Sequence, residues 1–172
     1  MSNFQSRIIR AAKLDANLYE EVEADTGAMG QATGVVVLSS IAAGVGTIAQ
    51  GGLGGIFVGT IAALIGWYIW AYLTYIIGTK LLPEPQTKAD VGELLRTIGF
   101  SSSPGLIRVL GIIPGVGAFV FLASSIWMLV AMVIAVRQAL HYQSTGRAIG
   151  VCVIGWIAQL LIFMLLFSFF GA

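Results

Sequence analysis

Residues Phe100–Val136 read FSSSPGLIRVLGIIPGVGAFVFLASSIWMLVAMVIAV, 37 residues almost all apolar or small, with one charge, Arg108, and a Pro-Gly-Val-Gly break at Pro114–Gly117. One α-helix of that length would reach roughly 55 Å, against a hydrocarbon core of about 30 Å. Two short spans folded back at the break fit the length. Proline cannot continue a helical hydrogen-bond ladder, and Gly115 and Gly117 permit positive φ, so the reversal falls where the length demands it. The stretch predicts a helical hairpin across a membrane with an arginine inside it.

The composition agrees. Of 172 residues, 58% are hydrophobic and only 10% charged, whereas soluble domains carry about 25% charged residues. The predicted class is all-α, a polytopic transmembrane helical bundle in one membrane domain. A formal net charge of +1 lacks the basic excess that drives nucleic-acid binding, so nucleic acid is not an expected partner. The lone Cys152 excludes an intrachain disulfide and a cysteine metal cluster. The first 30 residues are polar and precede the first apolar run, so the first span is expected to serve as an uncleaved insertion signal.

Residues 1–30 predict two cytoplasmic amphipathic helices. Phe4, Ile8, Ala11 and Ala12 form an apolar stripe, with Arg7, Arg10 and Lys13 off it, and Leu18, Tyr19 and Val22 continue one beyond Asp15, read as an N-cap. The basic first helix could lie on anionic lipid or form a solvated pair with the acidic second. From Thr26 to Thr79 there is no charge over 54 residues, enough for two spans around a glycine-rich turn at residues 50–55. Gly51, Gly55 and Gly59, and earlier Gly30 and Gly34, repeat at the four-residue spacing that lets helix backbones pack closely. A loose dinucleotide-like Gly44-Val45-Gly46-Thr47-Ile48-Ala49 follows no strand and is set aside. Pro83-Glu84-Pro85 stops span two, and Thr87–Asp90 resembles a capping box opening a short interfacial helix with Val91, Leu94, Leu95 and Ile98 on one face. The membrane domain is thus 31–171, with five spans near 31–49, 55–79, 99–113, 117–137 and 148–170.

The nine Lys and Arg residues test that count. Five spans put Arg7, Arg10, Lys13, Lys80, Lys88, Arg96, Arg137 and Arg147 on one side. The positive-inside rule then makes the N-terminus cytoplasmic and the C-terminus non-cytoplasmic. A re-entrant half-helix at 100–113 would reverse parity and move Arg137 and Arg147 outside, which disfavours it.

The ninth is Arg108. A charge at membrane depth is costly and suggests either snorkelling with structural pairing or contact with a lipid, an anion or a partner protein. No acidic residue lies in a predicted span. Its candidate partners are Gln159, Ser101–Ser103, Ser124, Ser125 and carbonyls freed by Pro104 and Pro114. Trp67, Trp70, Trp127 and Trp156 fall nearer span centres than ends, which suggests bundle packing or contact with a partner's helices; pigment contact would give the same pattern. No cofactor is predicted, although a bound lipid or pigment could be accommodated. His141 reads as a solvated histidine at a span end.

Leu14-Asp15 and Tyr19–Asp25, then Gly30-Gln31-Ala32, Leu94–Phe100 with Ser103-Pro104-Gly105, Ile112–Gly117 and Ile126-Trp127 together resemble the prokaryotic branch of the Yip1 domain family. The strongest parts are the opening of the hairpin, with Arg96, Gly99 and Pro104, and its turn, with Pro114, Gly115 and Gly117. The resemblance implies five transmembrane helices, a cytoplasmic N-terminus and a prokaryotic inner membrane. Eukaryotic members are implied to bind Rab GTPases through an Asp-Leu-Tyr-Gly-Pro signature that is absent here, so that partner is not carried over.

Two functions compete. A non-enzymatic scaffold or accessory subunit would bind membrane lipids and other integral membrane proteins, or itself, through glycine faces and central tryptophans. A small transporter, channel or lipid-handling protein would use a polar crevice around Arg108 and Gln159, but it lacks the acidic coupling groups and inverted repeats usual in transporters. Enzymatic activity is not expected: there is no His-Glu-x-x-His, no Gly-x-Ser-x-Gly and only one histidine.

Overall fold

The computed structural model describes residues 4–170, and among them every regular element is helical. Two short helices, α1 (Phe4–Ala12) and α2 (Ala16–Ala24), precede α3 (Met29–Gly46), α4 (Ile48–Ile76), α5 (Val91–Ser101), a 3₁₀ segment (Ser103–Ile112), α6 (Gly117–Ala139) and α7 (Thr145–Phe170). Four helical stretches are long and apolar enough to cross a membrane: Thr26–Gly46, Gly51–Leu81, Gly117–Ala139 and Thr145–Ile162.

Local chemistry sets the boundaries. Asp15 caps α2 by accepting from the Asn17 amide, as its position after the first stripe suggests. The capping box before α5 lies three residues later than Thr87 implies: Asp90 and Glu93 satisfy each other's backbone amides at 2.8 Å. An aspartate cap with glutamate three residues on completes both bonds, whereas Thr87 instead bonds the Glu84 amide. The turn between the first two spans also differs from expectation. The Thr47 hydroxyl and amide both return to the Ala43 carbonyl at 3.1 Å and end α3 early. The chain then bends again at Gly52, whose φ of 59° glycine adopts without penalty.

The third expected span takes another form. α5 ends at Ser101, and residues 103–112 wind as a 3₁₀ helix with Pro104 in the first turn, where its missing amide costs nothing. At about 2.0 Å per residue that segment covers roughly 20 Å, shorter than the hydrocarbon core. It runs close against α3: a Cβ on Gly111 would meet the Phe121 ring at 2.8 Å and the Gly46 carbonyl at 3.1 Å. The reversal after it stands as expected, with Gly115 at φ 85° and α6 starting at Gly117.

Nor does α5 lie on the surface. Leu94 through Ser101 are all buried, packed by α2, α3, α4 and α6. Gly99 makes this seating close, since a Cβ there would lie 2.8 Å from that of Ala32. Burial is concentrated at this end of the bundle. Trp67, Trp70 and Ala71 of α4, Ile77 just after it, Ala135, Val136 and Ala139 of α6, and Ala148 and Val151 of α7 join one core with α2 and α5. The far halves expose Leu53, Phe57 and Val58, Phe119 and Leu122, and Leu160, Leu161 and Met164, as helices facing lipid do.

Candidate functional site

Between the far halves of α3, α4, α6 and α7 lies an open crevice of about 780 Å³. Small residues of α4, Gly55, Gly59, Ala63 and Gly66, form one wall, and Met128, Leu129 and Met132 of α6 form another. Trp67 and Trp70 border it at the packed end, fixed by indole bonds to the Leu95 carbonyl (3.1 Å) and the Met132 sulfur (3.2 Å). Its few polar groups are Ser39 and Ser40 of α3, Thr47 just beyond it, Ser102, Arg108, and Gln159 of α7.

Arg108 projects from the 3₁₀ segment toward α6. Its Nε donates to Ser124 Oγ and its Nη2 to Ser125 Oγ, both at 2.9 Å, and the guanidinium lies 5.4 Å from the centre of the Phe121 ring. Both serines spend their own protons on the Phe121 carbonyl, at 3.0 and 2.7 Å, and therefore offer lone pairs to the arginine. Serine partners were among those expected from the sequence. Gln159 shares the crevice without a hydrogen bond to Arg108 among the described residues. No acidic residue lines the space, and no grouping of described residues could hold a metal ion.

A charged staple closes the packed end. Arg7 is buried and joins Glu21 (2.9 Å), Asp25 (2.8 Å) and Gln31 (3.0 Å), while Arg10 joins Asp15 (2.7 Å) and Glu21 (2.5 Å). Arg7 and Arg10 of α1 are thus paired with acidic side chains of this same chain. The apolar stripe of α1 packs on the bundle, with Phe4 reaching Gly34. Arg10 and Arg7 hold the Asp15 and Asp25 carboxyls below the ordinary range. Arg96 is buried beneath α2 and donates to the Val22 and Glu23 carbonyls.

Glu23 itself is 6% exposed and pairs with His141 at 3.2 Å. Burial pushes its carboxyl up to about 7, with His141 pulling the other way. His141 thus has a partner that its isolated position in the sequence did not reveal, and it stands at φ 53°, in the left-handed turn that brings it there.

The glycines divide in two. Gly30, Gly51, Gly55 and Gly59 have nothing within 4 Å of an added Cβ, so their small-residue spacing is unused within this chain; Gly34 meets only Phe4. The close approaches fall instead at Gly44, Gly46, Gly78, Gly99, Gly105 and Gly111. Gly105 lies against Ser39 and Met128, next to the buried Pro104. Gly44 and Gly46 sit in the motif set aside as a dinucleotide fingerprint, and only their glycine content hinted at close packing.

A family model described as the Yip1 domain matches residues 22–167. Comparison with curated proteins and with solved structures returns no match.

Proposed function

This chain belongs to the Yip1 domain family and is a multi-pass integral membrane protein in contact with lipid, and we propose that it works without chemistry of its own, as a scaffold or accessory subunit for another membrane protein. The observation that carries this reading is the first half of α4. Leu53, Phe57 and Val58 are 66–77% exposed there, and Gly51, Gly55 and Gly59 leave open space beside the backbone. A row of small residues is the surface on which a second membrane helix packs closely.

The reading includes five crossings. Laid end to end, the part of α5 beyond Arg96 (residues 97–101) and the 3₁₀ segment span roughly 28 Å at about 1.5 and 2.0 Å per residue, close to the hydrocarbon thickness and enough for a composite third crossing. The clustering of Arg7, Arg10, Arg96, Arg137 and Arg147 with the loops at one end supports a cytoplasmic N-terminus and non-cytoplasmic C-terminus in an inner membrane.

The test is gentle extraction from native membranes, followed by mass spectrometry. A stoichiometric membrane-protein partner, or a second copy, is expected with the intact chain and reduced with Gly55→Leu. Recovery only as a free monomer under conditions that keep other assemblies together would overturn the proposal.

A further inference from the structure

The surroundings of Arg108 carry an inference that does not depend on a protein partner. A guanidinium has five N–H donors, and here two of them meet serine oxygens. Those serines are neutral, and no carboxylate lines the crevice that Arg108 borders. A cation in apolar surroundings with only neutral partners is costly until an anion joins it.

We propose that Arg108 binds the phosphate of one anionic phospholipid whose acyl chain lies in the adjoining crevice. Size favours lipid inside the crevice, with a partner's helix packing only across its mouth at Gly51, Gly55 and Gly59: a spanning helix, about 10–12 Å across and 30 Å long, fills upwards of about 2,400 Å³, against about 780 Å³ within. Depth favours it too. Arg108 lies level with Ser124 and Ser125, seven and eight residues inside the start of α6 at Gly117, or about 10–12 Å below that end. That is within reach of a headgroup drawn inward and an arginine stretched outward. Charge selects the headgroup. The guanidinium fork matches phosphate oxygens, whereas an ammonium-bearing headgroup finds no acidic residue there. Gln159 supplies an amide for an ester carbonyl.

Full-length protein in mild detergent, loaded from phosphatidylcholine vesicles doped with phosphatidylglycerol and weighed by native mass spectrometry, tests this. The expected result is saturable retention of a single phosphatidylglycerol in preference to phosphatidylcholine, undisturbed by excess inorganic phosphate. Arg108→Gln lowers retention at least about ten-fold, Arg108→Lys gives an intermediate loss, and Arg147→Gln, at the opposite end, changes nothing. Equal retention by Arg108→Gln, equal retention of phosphatidylcholine, or displacement of lipid by inorganic phosphate overturns the proposal. Should Arg108→Gln fail to fold, the headgroup preference of the intact chain decides. Loss of the lipid leaves partner co-purification as a separate result.

Discussion

The Nε of Arg96 lies 2.9 Å from the carbonyl oxygen of Val22, 74 residues earlier in the chain, and the same guanidinium reaches the Glu23 carbonyl. These carbonyls stand at the C-terminal end of α2, where helix acceptors lack partners and the helix dipole favours a cation. One buried side chain therefore anchors the N-terminal helices to α5. Arg96→Met is expected to leave both acceptors unpaired and to cost about 1–3 kcal/mol. Arg96→Lys should recover only part, since a point charge cannot bridge two carbonyls as a fork does. Thermal unfolding in detergent measures both, and an unchanged midpoint for Arg96→Met would sink this account.

The buried Glu23 makes the same contact sensitive to pH. Its carboxyl titrates at about 7 instead of the ordinary 4.5, so its contribution is full below the ordinary value and is lost as pH rises through about 7. His141, Glu93, Glu20 and Arg96 surround it. The depressed Asp15 and Asp25 carboxyls work oppositely, contributing above their ordinary value of 3.8 and failing in stronger acid. Amide exchange in α2, divided by the base-catalysed intrinsic rate at each pH, should be slowest between those limits and quicken toward pH 8. Glu23→Gln should flatten the alkaline side alone; a persisting rise in that variant would assign it elsewhere.

Two glycine-to-alanine changes should act with opposite sign. At Gly46 a Cβ would collide with the Arg108 carbonyl backbone, which cannot give way as a flexible side chain can, so Gly46→Ala is expected to destabilise by about 1–3 kcal/mol. At Gly55 nothing lies within 4 Å, and alanine's better helix propensity should stabilise the isolated chain by up to about 1 kcal/mol. Equal destabilisation by both would contradict the placement of α4.

Trp127 donates from its indole to the Ala12 carbonyl at 2.8 Å, tying the last turn of α1 to α6. Trp127→Phe removes that donor while keeping a ring, at a cost of about 1 kcal/mol. Limited proteolysis should cut faster near Lys13 while the remainder of the chain stays protected. Unchanged cleavage would show that the apolar stripe of α1 suffices alone.

Much of this architecture was legible because it is local. Chain length against bilayer thickness located the reversal at Pro114–Gly117, and folding there brings Arg108 beside Ser124 and Ser125. Asp15 announced a helix start by residue type. The 3₁₀ winding of 103–112 was not legible, because apolar composition does not distinguish it from an α-helix and its cause is close approach to Gly46 of α3. Arg7 misled for a related reason. It lies off the apolar stripe and reads as solvated, yet Glu21 and Asp25 make burial tolerable. Arg96 with Val22 and Glu23 with His141 leave no periodic trace, since each pair spans scores of residues.

Burial heaviest at one end gives this molecule a mechanical character. The tip of α4 is held to α3, where Ile56 crowds Gly44 and Thr60 bonds Ser40, and the 3₁₀ segment is held between α3 and α6 by Gly46, Gly111 and the Arg108–serine bonds. Of the helices around the crevice, α7 is the one whose far half carries no such tie among the described residues. Any widening of the crevice therefore swings α7, like a door on a fixed frame, and leaves the floor that carries Arg108 in place.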